Sequence, residues 1–351
     1  MSLTGVDLSN TSTARPGADL LSLTEGALPY VIGADGSTVG RTDLGGALTH
    51  GLPAHAKYDP RADEVHRIGY STVARPYAVW QVIDGSGQVT RTVPIDLPEP
   101  VMIHTATLTP MYVLVYDLPV VVDLRLFADG WSVSFRWDPD HQGRLGVIDR
   151  ANGDLTWIDL PPLFVFHDAG AFDTSTGCMV DLVTYPRVFA TDLGGPLPEP
   201  NRLERWTVDV HGGTVDRVVL DDGPQEFPRV APGTFGRANR FTYAVGADRG
   251  DLATAFGPGN AVVRHDHLSA TSTRWSPGPG RSSAETVFVP DRERSGSEDG
   301  GWLLAFVHDS GTDRSEFVVL DAADVAGGPV ATVALPQWVP AGFHGNWFAT
   351  V

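Results

Sequence analysis

Four of the eleven histidines stand where an apolar strand runs into a turn, and any chemistry in this chain has to be built from them first. His55 lies in LPAHAKYDP, His104 opens the Thr-rich strand of PVMIHTATLT, His167 ends LFVFH, and His344 lies in VPAGFHGNW. The remaining seven read as surface or satisfied core histidines. Separations of 49, 63 and 177 residues between the four are far too long for a local metal motif such as H-E-x-x-H, so a shared site needs each imidazole delivered by a different element. Four neutral imidazoles on one ion suit Fe(II), Cu or Zn, and an octahedral iron so held keeps two positions open for reactants. Three glutamates occupy apolar, strand-like surroundings where a carboxylate is costly unless paired: Glu25 in LLSLTEGALPY, Glu226 in PQEFPRV and Glu285 in SSAETVFVP. Such a carboxylate either reaches water at a sheet edge or accepts the second ring N–H of a ligating imidazole, which fixes its tautomer.

The elements that must position these side chains are strands. Apolar runs of strand length recur at Tyr112–Tyr116, Trp131–Trp137, Leu163–Phe166, Arg205–Val210, Phe241–Val245, Trp302–Val307 and Glu316–Leu320, with almost no helical stripe longer than two turns. Turn clusters separate them, among them DGSG from Asp84, ANGD from Ala151, HGG from His211 and DSGTD from Asp309. Hairpins continued along the whole chain imply a propeller or a large barrel, because an open antiparallel sheet of that many strands curls or splits. In a propeller, strand ends from separate blades can converge on the central axis. No repeat of the WD or kelch kind is visible, so periodicity does not set the blade count. The charged stretch Pro290–Gly301 predicts an exposed loop, and the absence of a composition shift predicts one domain over residues 1–351.

Several function classes are excluded by composition. The net charge is −18 over 351 residues, which argues against a nucleic-acid partner. A single cysteine, Cys178, rules out an internal disulfide framework and a cysteine-based zinc cluster. The longest apolar stretch, 112–122, is interrupted by Asp117 and Pro119 and is too short for a transmembrane segment. The start, MSLTGVDLSN, lacks the basic and apolar regions of a signal peptide, so the expected location is cytoplasmic. Neither a P-loop, a dinucleotide glycine motif nor a nucleophile elbow is present. Lys57 is the only lysine; every other basic residue is arginine.

The same segments resemble the carotenoid cleavage oxygenase family. The likeness begins at NTSTARPGADLLSLTEGALPY, runs in order through LPAHAKYDP, MIHTATLTPMYVLVYDLPVVVD, RLGVIDR, LFVFHDAGAFD, PQEFPRV, NRFTYAVG, AETVFVP, EDGGWLLAFVHD and FVVLDA, and closes on LPQWVPAGFHGNW. It implies an all-β, seven-bladed β-propeller with a non-haem Fe(II) on its axis. The metal ligands it implies are His55, His104, His167 and His344, with Glu25, Glu226 and Glu285 bracing His104, His167 and His344 in a pairing that the sequence does not fix. Three departures stand out. The segment that family members carry ahead of the NTS stretch is not in this sequence, from which a ring incomplete at its N-terminal blade is expected; Gly170 replaces the Asn of H-x-x-N; and Ala56 follows His55 in place of Pro.

The resemblance implies a dioxygenase that splits a C=C bond of a carotenoid or apocarotenoid into carbonyl products, with Fe(2+) and O2 and no catalytic side chain beyond the iron centre. Stilbenoid cleavage is the alternative. Stilbene-cleaving relatives place a Lys directly before the first outer glutamate, where this chain has Thr24. A metal-binding propeller without activity is the remaining alternative. Peripheral membrane contact would use an apolar lip, for which Leu124, Leu126, Phe127 and Trp131 are the candidates.

Overall fold

Side chains in the turns fix where the strands reverse. In the computed structural model, Asp84 accepts hydrogen bonds from the backbone of Ser86 and Gln88 at 2.9 and 3.0 Å, and Gly87 takes φ = 82°, so the strand Ala78–Asp84 folds back into Val89–Ile95. The residues described are 9–130, 134–190, 201–247, 259–340 and 342–349, without the side chain of Phe127.

Repetition of this device gives an all-β propeller. Six blades are found among the described residues, each an antiparallel sheet whose strands follow one another in sequence. They begin with the strands Ser12–Ala14, Lys57–Asp59, Ala106–Leu108, Phe164–Asp173 and Gln225–Arg229, and in the sixth blade with Arg281–Ser283 and Val287–Pro290, which both pair with Gly301–Asp309. The resemblance implied seven blades; six are what the described residues hold.

Core packing shows how the blades stack. In the strand Tyr112–Asp117, Tyr112, Leu114 and Tyr116 face the fourth blade, where they join Phe164, Leu182 and Trp206. Val113 and Val115 point the opposite way and pack with Ile68 and Trp80 of the second blade. Period-two alternation with both faces apolar is what a sheet needs when it is sandwiched between neighbours. The same logic joins the first blade to the second through Leu21, Leu23, Val65 and Ile83, and the fifth to the sixth through Tyr243, Val262, Leu303 and Val318. Last strands such as Thr271–Trp275 and Pro329–Ala334 are mostly exposed, which puts the outer rim of the blades in water.

A two-stranded ribbon, Val120–Val122 with Phe135–Trp137, is inserted between the second and third strands of the third blade. At its base Asp117 is fully buried and bonds His141 Nε2 at 2.8 Å and Arg144 at 2.7 Å, while His141 Nδ1 meets Glu99 at 2.9 Å. Of the lip candidates, Leu124 is exposed and Leu126 is buried; Trp131 and the side chain of Phe127 lie outside the described residues. The C-terminal segment lies against the first blade, where His344 donates its backbone N–H to Thr11 at 3.0 Å and Asn346 donates to the Thr13 carbonyl at 2.7 Å. The charged stretch 290–301 is a loop containing one 3-10 turn, Arg292–Arg294, between the two strands it joins.

Candidate metal centre

The inner edges of three blades and the C-terminal segment bring the four histidines together. His55 precedes the first strand of the second blade, His104 precedes that of the third, and His167 lies within that of the fourth. Inside the strand Phe164–Asp173 the register with its partner slips twice, between Val165 and Asp168 and again before Gly170. Such bulges re-aim side chains. The donor nitrogens of His55, His104 and His167 lie within 4.8 Å of one another, and His55 Nε2 stands 3.1 Å from His104 Nε2. His344 completes the cluster, with its ring centroid 4.6 Å from that of His55 and 4.9 Å from that of His167.

Two of the three glutamates reach a histidine. Glu226 Oε2 accepts from His167 Nδ1 at 2.6 Å, and its carboxylate also accepts from the Tyr185 hydroxyl at 2.6 Å and the Phe227 backbone N–H at 2.7 Å. Glu285 meets His344 Nδ1 at 3.1 Å and accepts from Arg229 Nε at 2.9 Å and the Gly345 N–H at 2.9 Å. Glu25 differs. Its Oε1 accepts from the backbone N–H of Ala54 at 3.2 Å, while its buried Oε2 has no hydrogen-bond partner among the described residues, so it braces the turn ahead of His55 and not a histidine ring.

Burial sets the charges. Desolvation, reinforced by the mutual repulsion of neighbouring imidazoles, holds His55, His104 and His167 well below the ordinary histidine range, so all three are neutral. Burial also pushes Glu25 and Glu226 up to about 8. Burial acts in the same sense on Glu285, but the Arg229 guanidinium and His344 outweigh it and bring that carboxyl down to about 2.

This donor set fits a divalent transition metal. With Nδ1 of His167 committed to Glu226, its Nε2 is a buried atom without a partner among the described residues, within 4.8 Å of the donor nitrogens of His55 and His104. Unpaired buried nitrogens are costly unless an ion takes the lone pair. A second cluster, Asp59, Glu64 and His66, has donors equally close, but Arg150 already places its guanidinium 2.6 Å from Asp59 and 3.0 Å from His66, so the position for a cation is filled.

A cleft of 430 Å³ opens on the cluster, lined by His55, His167, His344, Leu108, Phe227 and Val230. Phe227 packs its ring 5.2 Å from His167 and 5.4 Å from His344 and holds φ = 54°, in the left-handed region that non-glycine residues seldom occupy. Phe227, Tyr185 and Arg229 escaped sequence reasoning. Arg229, three residues beyond Glu226, carried the one available signal, a charge inside an apolar strand.

With the geometry in place, the chain can be set beside known proteins. The family model described as retinal pigment epithelial membrane protein (RPE65) matches residues 2–349. The chain belongs to this family, which includes the carotenoid cleavage oxygenases. It is 31% identical to the carotenoid cleavage oxygenase of Mycobacterium tuberculosis, in an alignment covering 97% of this chain and 77% of that protein. Among solved structures, cobalt-substituted Synechocystis ACO, an apocarotenoid oxygenase, superposes with a TM-score of 0.85 at 28% identity, covering 97% of this chain and 74% of that one. Lignostilbene dioxygenase of Pseudomonas brassicacearum gives 0.86 at 27% identity, covering 97% and 75%.

Proposed function

We propose that this chain is a non-haem Fe(II) dioxygenase that cleaves a C=C bond of a carotenoid or apocarotenoid to two carbonyl products. The observation that carries the reading is the convergence of three neutral imidazoles, that of His167 fully buried and those of His55 and His104 half-buried, together with His344, beside a cleft, with the Nε2 of His167 left without a partner among the described residues. His55, His104, His167 and His344 would hold the iron, which when bound supplies the redox chemistry for O2. We take the six blades as part of the seven-bladed ring that the family resemblance implies, with His344 added from the C-terminal segment.

The protein's own residues do the rest. Glu226 keeps the proton of His167 on Nδ1, and so keeps the Nε2 lone pair toward the metal position. Glu285 does the same for His344, and Arg229 keeps Glu285 ionised for that task. Leu108, Phe227 and Val230 give the cleft, which Lys57, Asp168 and Arg229 also line, an apolar stretch against which a polyene can lie. No general acid or base is needed at the scissile bond. No helix among the described residues is long and apolar enough to cross a membrane, and substrate entry from a lipid surface is part of this proposal only through exposed Leu124.

Stilbenoid cleavage is the second reading, favoured by the equally close superposition on lignostilbene dioxygenase. Thr24 speaks for the polyene, since its hydroxyl bonds Thr11 at 3.1 Å and offers no cation to a phenol. The test is anaerobic loading with Fe(II), followed by O2 and either apocarotenal or hydroxystilbene substrates, with products read by mass spectrometry. Aldehydes from the polyene alone are expected. Cleavage of the stilbene alone establishes the alternative, and turnover of neither by iron-loaded protein makes this a binding propeller.

A further inference from the structure

The three histidines that share closely spaced donor atoms come from three different blades, the second, third and fourth, and among the described residues no β-ladder joins these three to one another. Their relative positions must therefore be set by side chains that cross between blades. A metal site tolerates only about 0.5 Å of slack in such positions. Directly beside the cluster, three polar side chains meet on a single atom. Lys57 places Nζ 2.6 Å from Asp168 Oδ1, and Thr105 donates its hydroxyl to the same oxygen at 2.9 Å. Each of the three is a chain neighbour of one histidine: Lys57 lies two residues after His55, Thr105 follows His104, and Asp168 follows His167.

We infer that Lys57, Thr105 and Asp168 form an interblade clamp that sets the spacing of His55, His104 and His167 and so governs how tightly the site retains a metal. The inference rests on the metal-centre reading above. Each link has a physical basis. The Lys57–Asp168 contact is a short, charge-assisted hydrogen bond, and Asp168 is only 6% exposed, so water competes weakly for the carboxylate. Thr105 is buried, and its hydroxyl finds in Asp168 an acceptor on another blade. The double register slip around Asp168 turns that side chain toward the partners it would miss in a regular strand. The choice of lysine is informative as well, since this chain uses arginine at every other basic position. A compact ammonium makes a single-point contact here, whereas a planar guanidinium demands a wider, two-pronged partner.

These are positioning residues, acting through the histidines. The experiment is a titration of metal-free full-length protein with Co(II), read by its visible absorption and by equilibrium dialysis, on wild type, K57M, T105V and K57R. Thermal melting of the metal-free forms checks folding. K57M is expected to raise the Co(II) dissociation constant about tenfold, at the lower end of the range for residues that support metal ligands. T105V, which loses one neutral hydrogen bond and keeps its shape, should move it in the same direction by a smaller factor, and K57R should bind more tightly than K57M. If K57M does not fold, T105V decides alone. Wild type that takes up no cobalt overturns the metal-centre reading and the clamp with it. Wild type that binds cobalt while the folded variants match its affinity and spectrum overturns the clamp alone. So does a rise confined to the KM for substrate, which would make Lys57 a substrate contact.

Discussion

His167 and His141 are each paired with a buried carboxylate, and the two are driven in opposite directions. At the axis, His167 gives Nδ1 to Glu226 at 2.6 Å and keeps Nε2 unpartnered; burial and neighbouring imidazoles hold it neutral. At the base of the ribbon, His141 meets Asp117 through Nε2 at 2.8 Å and Glu99 through Nδ1 at 2.9 Å, and these carboxylates raise its pKa despite burial. A buried histidine–carboxylate contact alone is thus no sign of a metal site. What separates the two is the second ring nitrogen. Where a carboxylate takes it as well, the ring is a strut biased toward its protonated form; where it stays free among other imidazoles, the ring is a ligand in waiting.

The comparison breaks most visibly at His167. His167→Ala removes the free nitrogen, and metal retention is expected to fall by more than the ~100-fold upper bound for losing an outer partner of a ligand. Iron or cobalt content after dialysis measures it. His141→Ala, in contrast, should leave metal content unchanged. Asp117→Asn is the matching cut at the strut: it strands His141 and Arg144 without their shared anion, and breaking a buried ion pair of this kind costs about 3–5 kcal/mol. Urea unfolding should show that loss while cobalt affinity stays at the wild-type value. Next in size is Glu226→Gln, which keeps the shape but puts an amide where the carboxyl oxygen meets His167 Nδ1. It is expected to lower metal affinity about 10–100-fold without unfolding the chain. Unchanged affinity would reduce Glu226 to a partner of Tyr185.

Much of this arrangement is legible in the sequence, the shared site itself through the family resemblance. The strand-to-turn positions of His55, His104, His167 and His344 follow from apolar runs that end abruptly, and a propeller is the fold that lets such ends meet. Glu226 and Glu285 were legible because a carboxylate inside an apolar strand must find a partner. Glu25 carried the same signal, yet its carboxylate turned to the backbone of Ala54. Local pattern names a residue that needs a partner and cannot say which one is near. The blade count and the Lys57–Thr105–Asp168 contact were illegible for the same reason, since blade-to-blade packing has no period along the chain. Asp168 was further hidden by the bulges, because strand alternation alone sends neighbours of His167 to the opposite face.

The smallest expected effect is the one that tests the charge on the strut. A histidine whose folded pKa lies above its unfolded value binds its proton more tightly in the native state, so between the two values the unfolded chain holds fewer protons and stability falls as pH rises. For His141 the raised value comes first from Asp117, with burial opposing and Glu99 assisting. Its contribution is therefore fully present below the ordinary histidine value near ~6.5 and is lost as pH climbs through the raised one. Glu99 is half exposed, which screens its share. His141→Gln keeps a hydrogen-bonding side chain and removes the titration, so it serves as the reference. The stability advantage of wild type over this variant, from urea unfolding between about pH 5.5 and about pH 8.5, should be largest at the acid end and shrink steadily toward the alkaline end. An advantage that stays flat would mean that His141 is held there as a neutral ring, and the distinction between strut and ligand would then rest on hydrogen-bond count alone.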